Sequence, residues 1–104
     1  MIKIMMVDHE PKQLSPGELS VLYKAFKGVE IEFETTRPKG HKEHVENCRR
    51  IQPTVVLLPS EFSEWIPIQA MREGFRHIVV SSRGVSEVCP IRLGHTPDLK
   101  PFEI

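Results

Sequence analysis

The sequence predicts an α/β domain of three layers, with a parallel sheet of four or five strands between two layers of helices. Three observations carry this. Short apolar runs bounded by breakers, at Ile2–Val7, Thr54–Leu58 and His77–Ser81, have the composition of strands buried on both faces. Between such runs lie stretches whose apolar residues recur at helical spacing. The connections are also long enough to carry the chain back to the same end of the sheet, as parallel neighbours require. At 104 residues the chain is expected to be one domain, 1–104, near the small end for a fold of this kind.

Taken in order, Ile2–Val7 is apolar apart from Lys3 and runs into the polar turn Asp8-His9-Glu10-Pro11. Ser15 then looks like a helix N-cap, with Pro16 at the first helical position and Glu18 in the first turn. Leu19, Leu22, Tyr23 and Phe26 form one apolar stripe, and Gly28 is a helix stop. Val29, Ile31 and Phe33 alternate with Glu30, Glu32 and Glu34, which predicts a strand near a sheet edge with one face open to water. A loop at Thr35–Gly40 leads to a helix at His41–Arg50, with Val45, Cys48 and Ile51 turned inward. Thr54–Leu58, set between Pro53 and Pro59, is too short for a helix and is the central strand.

A polar turn at Ser60–Glu64 precedes a short helix at Trp65–Glu73, in which Pro67 must lie in the first turn or force a late start. Trp65 itself reads as a lid on the core or as an exposed contact residue. Gly74 ends this helix, and His77–Ser81 is the fourth strand. A fifth strand fits either Cys89–Leu93 or Asp98–Phe102, with Pro90, Pro97 and Pro101 limiting both. An edge-like second strand beside buried first and third strands fits the order 2-1-3-4(-5) of flavodoxin-like folds.

Composition narrows the function classes. Lys plus Arg and Asp plus Glu balance at 14 each, so bulk charge gives no case for nucleic acid or an acidic membrane surface. No apolar run approaches the ~20 residues that span a bilayer. MIKIMMVD is too short for a signal peptide. Cys48 and Cys89 match no metal-binding spacing with each other, and they suit a reducing cytoplasm, the expected location. There is no G-x-S-x-G elbow and no Gly-rich phosphate loop.

Four stretches together resemble a bacterial response-regulator receiver domain. MIKIMMVDHEPKQL is similar to that family's first strand and acidic turn. GHKEHVENCRRIQPTVVLL, Gly40 to Leu58, is similar to its second helix and third strand. Ser82 follows the fourth strand where receivers carry Ser or Thr, and Lys100-Pro101-Phe102 matches the Lys-Pro-Phe that ends the fifth.

The resemblance implies a phosphoacceptor pocket, and the residues at its positions depart from it. The acceptor aspartate is replaced by Pro59 and the second acid of the pair by His9, which leaves Asp8. Ser82 and Lys100 remain. One carboxylate and an imidazole are poor ligands for Mg²⁺, which demands oxygen donors in near-octahedral array. The implied molecule is a degenerate receiver, or pseudo-receiver, with no cofactor and no metal, and it is not an enzyme. Its expected role is that of a phosphorylation-independent interaction or regulatory module in signal transduction. The sequence ends before a fifth helix, so the face that this helix would cover, beside Leu19 and Leu22, is expected to pair with a second copy in a homodimer. The alternative is a small flavodoxin-like enzyme or anion-binding protein that uses Asp8, His9, Ser82 and Lys100.

Three other groups carry possible chemistry. His41, His44 and Cys48 fall at i, i+3 and i+7 on one helical face, and all are metal-ligand types. No fourth ligand at suitable spacing accompanies them, and Cys48 belongs to the packing stripe, so packing is the favoured reading. Ser81-Ser82-Arg83 could contact an anion, although turn chemistry explains it equally well. Asp8-His9-Glu10 is favoured as a polar turn.

Overall fold

The computed structural model of the chain describes residues 1–59, 67–89 and 98–103. Its strands are β1 (Ile2–Val7), β2 (Ile31–Thr36), β3 (Val55–Leu57), β4 (His77–Ser81), β5 (Gly84–Cys89) and β6 (Asp98–Pro101). The helices are α1 (Pro16–Ala25), α2 (His41–Ile51) and α3 (Ile68–Arg72), with a single 3-10 turn at Pro11–Gln13. All six strands form one sheet in the order β2-β1-β3-β4-β5-β6. The pairs β1–β2, β1–β3 and β3–β4 are parallel, whereas β4–β5 and β5–β6 are antiparallel.

The all-parallel, flavodoxin-like expectation is therefore overturned, and with it the receiver-like sheet that the resemblance implies. The cause is local. Only Ser82 and Arg83 separate β4 from β5, and a parallel crossover needs a dozen residues or more. The chain has no choice but to turn back as a hairpin, with Ser81 opposite Gly84. Of the two segments proposed for a fifth strand, Asp98–Pro101 is β6; Cys89 ends β5, and residues 90–93 lie outside the described set. β6 does run parallel to β4, as the Lys-Pro-Phe strand of a receiver would, but β5 stands between them. Pro101 is tolerated because β6 is an edge. The Phe102 N–H donates to the Val85 carbonyl at 2.9 Å. Successive backbone groups alternate in direction, so the nitrogen of Pro101 faces the open side, where no donor is needed.

Capping chemistry sets the helix ends. Ser15 Oγ accepts the Glu18 N–H at 3.1 Å, and the Glu18 carboxylate accepts the Ser15 N–H at 3.0 Å, closing a reciprocal box. Lys27 and Gly28, both at positive φ, stop α1. α2 ends at Gln52, also at positive φ, whose N–H bonds the Cys48 carbonyl and whose side-chain amide bonds that of Arg49. Pro67 caps a late-starting α3 of five residues. Trp65, with the rest of residues 60–66, lies outside the described residues.

Strand alternation divides the core into two layers. Val55, Leu57, Ile78 and Val80 pack with Ile4, Met6, Leu22 and Phe26 under α1. Val56, Leu58 and Val88 pack with Met5, Val7, Val45, Cys48, Ile51 and Ala70 under α2 and α3. Beside α1, the area where a fifth helix was expected to be missing is partly covered by Val85 and Phe102. The Phe102 ring lies 5.6 Å from that of Phe26, tilted, and Arg76 stacks on its face at 4.6 Å. Leu22, which was expected at an exposed patch, is fully buried. Among the described residues no helix is long and apolar enough to cross a membrane.

Candidate functional site

The carboxyl ends of β1, β3 and β4 border a hollow of about 230 Å³ whose lining includes His9, Leu14, Glu18, Leu58, Pro59 and Val80. This is where functional groups gather in sheets with parallel strands. β1 leads through a strained step at Asp8 to His9, which lines it. Asp8 has φ 58, a conformation that Asp tolerates better than most residues, and its N–H bonds the Thr36 carbonyl at 2.9 Å. Its side chain is exposed. His9 turns back on the strand it leaves, with Nδ1–H donating to the Val7 carbonyl at 2.8 Å. Glu18 is the carboxylate in the lining, and the Ser15 backbone N–H and hydroxyl that cap α1 hold it below its usual carboxylate range. It serves as an anion already engaged with a helix N-terminus.

Of the five predicted pocket residues, the hollow brings together His9 and Pro59. Ser82 sits exposed in the β4–β5 turn. Lys100 pairs with Glu87 across β5–β6 and is exposed. At ~4.8 Å per strand, its strand lies roughly 14 Å from β3. The antiparallel hairpin has carried both residues away from the strand ends. Leu14, Glu18 and Val80 were not foreseen in the lining, since nothing in their spacing marks them.

A second convergence lies under α2. His44, Cys48 and His77 are fully buried. His44 Nε2 and His77 Nε2 are 3.0 Å apart, and Cys48 Sγ is 3.7 Å from His44 Nε2. One ligand-type atom from each of the three falls within 4.8 Å of the others. His77 Nδ1 is 2.9 Å from the Phe75 carbonyl. A carbonyl can only accept, so the proton of His77 is on Nδ1 and its Nε2 carries a lone pair. The bond between the rings then has His44 Nε2–H as donor. Burial lowers His44 to about 4, with the charge of His41 adding to the effect. Burial likewise lowers His77 to about 4, with His44 as the next cause. Cys48 is pushed up to about 12, by burial first and the Glu73 charge second. Near neutral pH all three are uncharged.

The sequence singles out His41, His44 and Cys48. The structure keeps the last two, leaves His41 exposed at the helix start, and adds His77 from β4. The available signal for His77 is its parity with Val79, which puts it on the sheet face that α2 covers. No family model, curated protein or solved structure matches this chain.

Proposed function

We propose that the chain is a non-catalytic, cytoplasmic interaction or regulatory module whose strand-end hollow does not accept a phosphoryl group. The observation that supports this best is the pairing of Pro59 with His9 at the strand ends. Proline offers no nucleophile at the tip of β3, and the His9 imidazole is tied to the Val7 carbonyl. The Glu18 carboxylate is committed to its helix cap. The enzymatic or anion-binding alternative needs Ser82 and Lys100 at the same hollow, and neither lines it. Incubation with acetyl phosphate and Mg²⁺, followed by intact-mass measurement, tests the reading. An unchanged mass is expected, and a phosphoryl group mapped to a residue lining the hollow would overturn it.

The contact surface in this proposal is the α1 face, where Tyr23 is 45% exposed, with a second copy of the chain as the occupant. Phe102 takes part of that area, so the expected dimer is weak. Sedimentation equilibrium should show it at high micromolar concentration. A strictly monomeric chain there would remove the dimer from the proposal.

A further inference from the structure

We propose that His44, Cys48 and His77 bind one copper(I) ion, through the two imidazole Nε2 atoms and the Cys48 thiolate. With metal–nitrogen bonds of ~2.0 Å and metal–sulfur bonds of ~2.3 Å, donor atoms around one ion stand roughly 3.3–3.7 Å apart. The observed separations of 3.0 and 3.7 Å, all within 4.8 Å, bracket that range, so side-chain shifts of less than an ångström complete the site. The Phe75 carbonyl provides the outer contact that metal-binding histidines use. By holding the proton on His77 Nδ1, it fixes the ring with the Nε2 lone pair facing His44.

Charge and coordination number select the ion. Cys48 packs among Val45, Val56, Ala70 and Val88 in an apolar layer. Glu73, the acid whose charge acts on Cys48, is forked to Arg49 at 2.8 and 2.7 Å. One thiolate and two neutral imidazoles around a monovalent ion make a neutral centre. A divalent ion would leave a net positive charge in that layer, which is costly. Structural zinc also takes four ligands, and among the described residues the cluster supplies three. Thiolate and imidazole together suit soft copper.

A surface hollow of about 170 Å³, lined in part by Met71, Gly74 and His77, lies on the His77 side of the cluster. On binding, the Cys48 S–H bond breaks, its proton leaves to solvent and a sulfur–copper bond forms. The His44 proton moves from Nε2 to Nδ1. Copper stays monovalent throughout. The inference stands apart from the strand-end hollow and does not depend on how that is read.

Chelator-treated protein titrated anaerobically with copper(I), against a competing chromogenic copper(I) chelator, tests the site. One equivalent per chain is expected. Cys48→Ser and His77→Gln should each weaken binding at least tenfold, while Cys89→Ser should leave it unchanged. Copper-edge X-ray absorption on the loaded wild-type chain needs no variant to fold, and it should show two imidazole nitrogens and one sulfur. Substoichiometric binding, a sulfur-only shell, loss of binding in Cys89→Ser, or tighter retention of zinc(II) than of copper(I) would each overturn the assignment.

Discussion

Replacing Phe102 by alanine removes the side chain that closes the sheet beside α1, and the cost can be worked from its surroundings. A fully buried phenylalanine contributes ~1.5–3 kcal/mol by area, and Phe102, which is mostly buried, gives somewhat less. Its tilted pairing with Phe26, with ring centres 5.6 Å apart, adds ~0.5–1.5 kcal/mol. Arg76 over its face at 4.6 Å adds ~0.5–1 kcal/mol. The contributions overlap, which puts Phe102→Ala near ~2–3 kcal/mol, a sizeable share of the ~5–15 kcal/mol that holds a domain folded. Urea unfolding measures it, and hydrophobic-dye binding by the folded variant should rise as Phe26 and Val85 are uncovered. A loss below about 0.5 kcal/mol, with no gain in dye binding, would mean that the C-terminal residues do not pack there.

Leu57→Ala, at a side chain 1% exposed in the centre of the sheet, should cost ~2.7–5 kcal/mol in the same assay, and a value under about 1 kcal/mol would mean that one face of β3 is open. At Asp8 the backbone matters more than the carboxylate, because φ is 58 and the side chain is exposed. Asp8→Asn should be near neutral and Asp8→Val should cost ~1–2 kcal/mol, with equal losses in the two arguing for a role of the charge itself. The Arg76 guanidinium, forked to Glu87 at 2.6 and 2.9 Å, holds that carboxyl below its ordinary 4.5. A depressed carboxyl contributes stability above its unfolded value that is lost as pH falls through the folded one. The stability advantage over Glu87→Gln should therefore be constant above pH ~5 and shrink below pH ~4; an advantage unchanged down to pH 3 would contradict the ion pair.

The first four strands were legible because each is marked locally. β1, β3 and β4 are continuous apolar runs, and the glutamates before and within β2 mark an edge. The Ser15–Glu18 box and the positions of α1 and α2 were equally plain. β5 was not. Its two valines, Val85 and Val88, are three residues apart and so fall on opposite faces, one in each core layer. With Ser86 and Glu87 between the two valines, β5 shows neither alternation nor a continuous apolar run. The signal that remained was a two-residue gap before Gly84, set between segments rich in β-branched residues.

Once the hairpin was missed, Lys100 appeared to belong at the strand ends, where a landmark match had put it. The intervening strand β5 sets Lys100 apart from those ends. The buried triad was half legible. The i, i+4 pair His44 and Cys48 lies on one helix, whereas His77 joins it across 33 residues through the packing of α2 on β4.

The antiparallel placement of β5 and β6 separates this chain from the parallel arrangement that its sequence resembles, and nuclear Overhauser contacts between backbone Hα protons test it most directly. Close Hα–Hα approach occurs at the non-hydrogen-bonded pairs of antiparallel strands and is absent from parallel ones. The Phe102-to-Val85 hydrogen bond sets the phase. Contacts are predicted for Ser86–Pro101 and Val88–Leu99 across β5–β6, and for Ile78–Glu87 and Val80–Val85 across β4–β5. Their absence, with residues 99–101 instead in contact with residues 78–80, would put Lys100 in a parallel strand beside β4 and contradict the account.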